Sequence, residues 1–499
     1  VIPAGDATTP RIVVIGAGIG GLTAAYRLAQ RRPGAAITVL DAAARPGGVI
    51  ASSLREGCLI EHGPDSIVSI KPAGLALVRD LGLADLLIGT EPDARSSLIA
   101  VGDRLVPVPE GLYLMAPGKI LPFLRSPLLS WPGKLRMAWD FSLPRRDPAY
   151  GDESLAAFVR RRLGREALDR IAQPMVSGIY TADPEQLSVA ATMPQFLDME
   201  RTHGSLIRAM MERSRAAAGA GAGQATGPRY GLFVSLRGGL QVLIDRLVAV
   251  LGERGVAIRT ACPARSLARA GTGFTITTAG GVHRARSRLG RSVDALVDDD
   301  GTETLACDQV VVATQLDAAA GLLAGLDGEL AQLARAVPYA GVATVNLAFD
   351  AGQAPDLPAA AGFVVPACER RGIIACTLAH RKYGGRCPPG TVLLRAFVGG
   401  ALHEDRLDLS DSALIAIIMR DLRTYCGIRG EPRWTEIHRW PKAMAQYVTA
   451  DGGHLARTAA LRRRERAIPG LAIVSNGCEG VGIPDLAAQA LSAAERLAP

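Results

Sequence analysis

Aromatic residues are scarce in this chain, making up 4% of its 499 positions, and basic residues never gather into a tract interleaved with them. A nucleic-acid partner is therefore not expected, although the net charge is +8. The eight cysteines form no C-x-x-C pair, and no histidine stands at zinc spacing from them. That argues against a disulfide framework and a structural metal, and the cysteines read as reduced thiols of a cytoplasmic protein. No metal is expected. An uninterrupted apolar run of about eighteen residues, the length that spans a bilayer, is also missing. The opening VIPAGDATTP lacks the charged and apolar regions of a signal peptide and reads as a disordered lead-in.

What is present is apolar material in quantity, 48% of the chain, enough for two or three packed domains around one large buried site. One stretch has an unusual balance. Gly111 to Trp139 carries no acid, four bases (Lys119, Arg125, Lys134, Arg136) and apolar clusters broken by prolines. That composition suits a surface that dips apolar side chains into a membrane while its cations meet lipid phosphates. It equally suits a helical subdomain that buries the same Leu and Trp residues in its own core. Both readings stay open from sequence. Residues 214–229, rich in Ala and Gly, read as a mobile loop.

The N-terminal region carries the strongest motif. Arg11–Ile15 (RIVVI) is a β-branched run followed by Gly16-Ala17-Gly18-Ile19-Gly20-Gly21 and then a helical pattern, LTAAYRLAQ. Strand, glycine turn and helix are the order a dinucleotide site requires: Gly16 for the tight turn, Gly18 for close approach to a diphosphate, Gly21 for helix–strand packing. A second strand, Ile37–Leu40, ends in Asp41, a carboxylate suited to accept hydrogen bonds from ribose hydroxyls.

Arg45-Pro46-Gly47-Gly48 comes next, and Glu61-His62-Gly63-Pro64-Asp65-Ser66 lies a short ribbon later. This order resembles the FAD-dependent amine oxidase superfamily. The resemblance implies FAD, held non-covalently by the residues from Gly16 to Gly21, by Asp41, Gly47, Gly48 and Val49, and by Gly63, Pro64, Asp65 and Ser66. It also implies adenine packing near Ala264. Near the C-terminus it implies a helix opening at Val481, Gly482 and Ile483, its positive end turned to the flavin. His62 is read as structural.

The fold expected is mixed α/β. A discontinuous Rossmann-like FAD-binding domain (9–89, 231–316 and 436–499) carries a sheet-containing substrate domain (90–107, 193–230 and 317–435) and a helical subdomain (108–192) that is the candidate membrane surface.

The middle of the chain is more specific. QPMVSGIYTADPEQLS, residues 173–188, is similar to a stretch of the protoporphyrinogen oxidase family, and further segments resemble the family in order along nearly the whole chain. The resemblance implies oxidation of protoporphyrinogen IX to protoporphyrin IX in heme biosynthesis, six electrons in all, with molecular oxygen as acceptor and hydrogen peroxide as product. Coproporphyrinogen III is the alternative substrate, and an amine or a carotenoid on the same fold is a more distant one. No side chain is assigned a catalytic role, because the flavin N5 takes the hydride. The substrate site is expected at Gly178, in a turn with Ser177, where a missing side chain lets the macrocycle rest on backbone. Tyr383 is expected against a pyrrole ring. Arg95 is a displaced clamp for a propionate, since Ser97 stands where the family has an arginine. Ala445 replaces a family proline before Gln446-Tyr447. A homodimer and a peripheral position on the inner face of the cell membrane are both compatible with this reading.

Overall fold

Five short runs, three of them rich in β-branched residues, line up side by side as one parallel sheet. In the computed structural model, which describes residues 9–94, 96–219, 232–279, 295–297 and 302–499, the strand order is Ala257–Arg259, Ala36–Leu40, Arg11–Ile15, Gln309–Val312, Leu471–Ile473. Every pairing is parallel and in register, for example Val13 with Thr38 on one side and Val310 on the other. Such strands are covered on both faces, which is why they read as unbroken apolar runs. Helices Ile19–Arg31 and Ile483–Leu497 pack together over one face, where Leu22, Ala25, Ala490 and Ala494 are buried. The sheet thus draws on the beginning, the middle and the end of the chain, with a smaller antiparallel sheet (Ala264–Ala270, Gly273–Ala279, Thr302–Cys307, Ala295–Val297) inserted before its fourth strand.

A second sheet of seven strands runs Trp434–Ala445, Tyr339–Asp350, Thr391–Gly399, Ala375–Leu378, Gly362–Val364, Ser97–Val101, Arg104–Pro107. Alternation along its long strands divides its residues between two faces. Val345, Leu347, Leu394 and Ala396 bury against Leu414, Ile418 and Leu422 of helix Asp411–Cys426. Thr344, Arg395 and Trp440 point the other way, to the stretch 62–65. One face of this sheet therefore backs onto the segment that follows Glu61.

The helices between Ile120 and Gly219 form the third unit. Its centre is ionic: the fully buried Arg162 donates to Asp140 Oδ1 at 2.6 Å, while Asp140 Oδ2 accepts from Ser205 Oγ at 2.6 Å. Residues 194–219, grouped with the sheet in the sequence reading, pack here instead. Phe196, Leu206 and Ile207 share a core with Phe158 and Ile171, and helix Leu206–Gly219 lies against strand Ala116–Pro117. The expected loop at 214–229 begins as helix through Gly219. Residues 220–229, the lead-in to residue 8 and Arg95 lie outside the described residues.

The alternatives for residues 111–139 divide by residue. Phe123, Leu128, Leu129 and Met137 are buried. Trp131, Leu135 and Trp139, four residues apart and so on one side of helix Trp131–Ala138 and its continuation, are 65%, 70% and 61% exposed. The segment builds a core and presents an apolar stripe outside it.

Candidate functional site

The turn out of strand Arg11–Ile15 forms the floor of the site. Gly16 has φ 108°, and a Cβ there would stand 2.5 Å from the Ala313 carbonyl oxygen. At Gly21 a Cβ would lie 1.8 Å from the Gly16 carbonyl oxygen, so strand and helix meet as closely as backbone allows. Gly18 is different. Its φ and ψ, −71° and 179°, are open to any residue, and a Cβ would meet nothing within 4 Å. The helix behind it has no side-chain cap and no acid in its first turn, so its unpartnered N–H groups and positive dipole end face that open space. Gly47 pairs beside Gly18 and donates its N–H to the Ala17 carbonyl at 2.7 Å. Backbone donors around an open, uncapped helix start fit a diphosphate, and these residues fit FAD.

Asp41 has a further role here. Its carboxylate accepts from the Ala17 N–H at 2.6 Å and the Ala43 N–H at 2.7 Å, so it braces the glycine turn as well as marking the strand end. Arg45 wraps the next loop, donating to the carbonyls of Pro46, Gly48 and Ile50 at 3.0–3.2 Å. Its motif was visible in sequence; its bracing role was not. Ala264 opens its strand just after Cys262, whose N–H reaches the Asp41 carbonyl at 2.8 Å, so the two share an edge.

The stretch 62–66 runs alongside. A Cβ on Gly63 would stand 2.0 Å from the Val49 carbonyl oxygen, which locks these two segments together. Asp65 accepts from Lys382 Nζ at 2.9 Å at both oxygens and lies 3.8 Å from Arg395. Burial alone would raise its pKa, but the two cations outweigh burial and hold the carboxyl well below the usual range. Tyr383 belongs to this cluster: its ring is 1% exposed and its hydroxyl is 2.7 Å from Ser66 Oγ. Burial drives its pKa well up, so it stays a neutral phenol. Behind it, burial raises the pKa of Glu61 against the pull of Arg386, and Glu61 accepts from the Leu240 N–H at 3.0 Å where the next helix begins. Lys382, Arg386 and Arg395 were missed by sequence reasoning. For Arg395 the signal was a cation inside an apolar strand pattern, LLRAF, which on a two-faced sheet points a charge at whatever the second face covers.

At the C-terminal end, Gly482 caps helix Ile483–Leu497, and its N–H donates to Asp485 Oδ2 at 3.0 Å, while Lys71 pairs with Asp485 at 2.6 Å. Val474 and Leu486 lie beside Gly20, so this segment and the first turn form one wall.

Residues 173–188 differ from expectation. Ser177 and Gly178 are not in a turn but in the last turns of helix Gln173–Tyr180, which continues from a five-residue π-helical segment, Leu168–Ala172. Pro174 has no N–H to donate and follows directly on the π-helical segment, where the hydrogen-bond register changes, and Gln173 Nε2 donates to Ser177 Oγ at 2.8 Å across one turn. The reversal comes at Thr181, with φ 50° and ψ 29°. Gly178 is exposed, and a Cβ there would touch only Val364, at 3.5 Å. It stands where helical carbonyls run out of partners. Tyr180 ties this helix end to the C-terminal wall: its carbonyl accepts from Gln446 Nε2 at 3.2 Å, and its ring is 6.4 Å from that of Tyr447, whose hydroxyl donates to the Asn476 carbonyl at 2.7 Å.

Comparison with known proteins matches residues 19–498 to the flavin containing amine oxidoreductases. The chain belongs to this family. It is 34% identical to the coproporphyrinogen III oxidase of Bacillus subtilis (strain 168), with 95% of each chain covered. The chloroplastic protoporphyrinogen oxidase of Nicotiana tabacum is 28% identical over 97% of this chain and 84% of that protein. A crystal structure from Exiguobacterium sp. 255-15, described as that of a candidate protoporphyrinogen oxidase, superposes with a TM-score of 0.82 at 29% identity, covering 99% of both chains. The cofactor of this flavoprotein is FAD, which supplies the redox chemistry when bound. What the chain supplies is the open, uncapped helix start, the braced loops around it and the walls described above.

Proposed function

We propose that the protein is an FAD-dependent porphyrinogen oxidase of heme biosynthesis and that it prefers coproporphyrinogen III. The observation that carries this reading is the ranking of relatives. The three curated proteins at 31–34% identity, from Bacillus subtilis, Propionibacterium freudenreichii and Staphylococcus aureus, are coproporphyrinogen III oxidases, whereas the plant protoporphyrinogen oxidases stand at 24–28%. Protoporphyrinogen IX is the second reading, favoured by the Exiguobacterium neighbour. The two substrates differ in carboxylates, four propionates against two, so the choice between them falls to cations lining the slot. Arg95 is the proposed clamp. Steady-state kinetics with both substrates tests the preference: kcat/KM at least tenfold higher for coproporphyrinogen III supports it, and the reverse ratio overturns it.

Oxidation of a porphyrinogen to a porphyrin removes six electrons, so three molecules of oxygen would leave as hydrogen peroxide. No strong base is required of the chain. Its tasks are to hold a flat macrocycle, accept from pyrrole N–H groups and exclude water. Gly178 suits the second task, with a bare Cα and a carbonyl near a helix end. Tyr383, anchored at Ser66, suits the support of a flat wall.

The stripe of Trp131, Leu135 and Trp139 suits a peripheral place on the cytoplasmic face of a membrane. No helix among the described residues is long and apolar enough to cross one. Each large apolar side chain withdrawn from water contributes roughly 1.5–3 kcal/mol when fully buried. Sedimentation with phosphatidylglycerol vesicles should carry the wild-type protein down, and the triple change Trp131→Glu, Leu135→Glu, Trp139→Glu should cut partitioning at least tenfold. Equal partitioning of the two proteins would refute this.

A further inference from the structure

The sheet face that backs onto residues 62–65 gathers a group of side chains that the flavin site does not use. Glu436 and His438 alternate on strand Trp434–Ala445 and so share a face. His62 arrives at them from strand Cys58–Glu61. His438 Nε2 lies 2.9 Å from Glu436 Oε1, and His62 Nε2 lies 3.5 Å from the same oxygen. The two imidazoles stack with centroids 3.8 Å apart and planes at 17°. One donor atom from each of the three residues lies within 4.8 Å of the others.

We propose that His62, Glu436 and His438 form a binding site for a late first-row divalent cation such as Zn2+. Two imidazoles and one carboxylate are a borderline ligand set, suited to zinc or cobalt and too nitrogen-rich for calcium or magnesium. With bonds of about 2.0–2.1 Å to a tetrahedral ion, ligand atoms stand roughly 3.3 Å apart, and the separations from Glu436 bracket that value. The backbone that carries His62 is fixed, and the two stacked rings need only swing apart about their side-chain torsions for both Nε2 lone pairs to converge on one ion. The His62 N–H donates to the Ala51 carbonyl at 2.9 Å, and its own carbonyl accepts from Thr344 Oγ1 at 2.8 Å and Trp440 Nε1 at 3.1 Å. The side chains of the three residues are 19–23% exposed, which leaves a fourth position open to water. Ser53 Oγ stands 2.8 Å from His62 Nε2 and 3.3 Å from Glu436 Oε1, so its hydroxyl bridges the donors and would yield to the ion. A bound ion would fasten the ribbon holding Ser53 and His62 to the outer strand of the seven-stranded sheet, directly before the stretch Gly63–Ser66.

Equilibrium dialysis of tag-free, chelator-treated holoenzyme against Zn2+ tests this, with Co2+ as a spectroscopic probe. One zinc per chain should be retained, and His438→Gln and Glu436→Gln should each weaken binding at least a hundredfold while FAD content and circular dichroism stay as in the wild type. The cobalt form should show visible ligand-field bands without a thiolate-to-cobalt charge-transfer band, since Cys58 and Cys387 could otherwise hold metal. Zinc should also raise the melting temperature of the wild type and not of the variants. No zinc retained by the wild type, equal affinity in wild type and Glu436→Gln, or a strong thiolate band would each overturn the proposal. The wild-type measurements decide even if a variant fails to fold.

Discussion

Gly18→Glu should yield a folded protein that purifies without flavin. The backbone there is ordinary extended chain and a Cβ meets nothing within 4 Å, so the fold has no reason to object. The new carboxylate would occupy the open space at the uncapped start of helix Ile19–Arg31. Two unit charges about 4 Å apart at an effective dielectric of about 20 repel by roughly 4 kcal/mol, which lowers FAD affinity about a thousandfold. Gly21→Val should behave in the opposite way. Its side chain has no room against the Gly16 carbonyl, so soluble protein itself should be lost. The bound-flavin ratio and circular dichroism of the two variants separate them, and a flavin-replete Gly18→Glu protein would show that the diphosphate does not sit over Gly18.

Gly178→Phe should leave FAD bound and lower kcat/KM by about a hundredfold, equivalent to roughly 2.7 kcal/mol of lost transition-state stabilisation. The fold tolerates the change, because only Val364 lies near the new Cβ. Removing a glycine from helix Gln173–Tyr180 should even help stability slightly, by roughly 0.3–0.5 kcal/mol, since phenylalanine is a better helix former than glycine though a poorer one than alanine. A variant that melts no lower than wild type yet turns over slowly therefore separates a role in holding substrate from a role in folding. Unchanged kinetics would remove Gly178 from the pocket.

Two strands of the parallel sheet, Arg11–Ile15 and Ala36–Leu40, were readable in sequence because they are runs rich in β-branched residues, and the turn at Gly16–Gly21 declares itself by spacing, whereas the edge strands Ala257–Arg259 and Leu471–Ile473 are too short to announce themselves. The seven-stranded sheet was partly readable. Val342–Phe349 is expected and Tyr339–Asp350 is found, the extra residues at both ends being pairings with Thr391–Gly399 and Trp434–Ala445 that no local pattern announces. The helix at 173–180 was misread as a turn because Ser177 and Gly178 have weak helix propensity, and tertiary burial of Pro174, Val176 and Ser177 overrides it. Lys382, Arg395 and the meeting of His62 with His438 are products of long-range topology: Arg395 and His438 lie on the sheet face that backs onto residues 62–65, and Lys382 reaches Asp65 from the short helix Ala379–Lys382. Spacing along the chain carries no trace of such contacts. A resemblance could supply the substrate class, whereas the bracing of the glycine turn by Asp41 and Arg45 needed coordinates.

A porphyrinogen should deliver its electrons to the flavin that this fold holds, and anaerobic mixing of the holoenzyme with coproporphyrinogen III decides whether it does. The oxidised-flavin absorption band should bleach as porphyrin fluorescence appears, and admitting oxygen should restore the band. A flavin band unchanged by either porphyrinogen, and bleached instead by an amine, would contradict it.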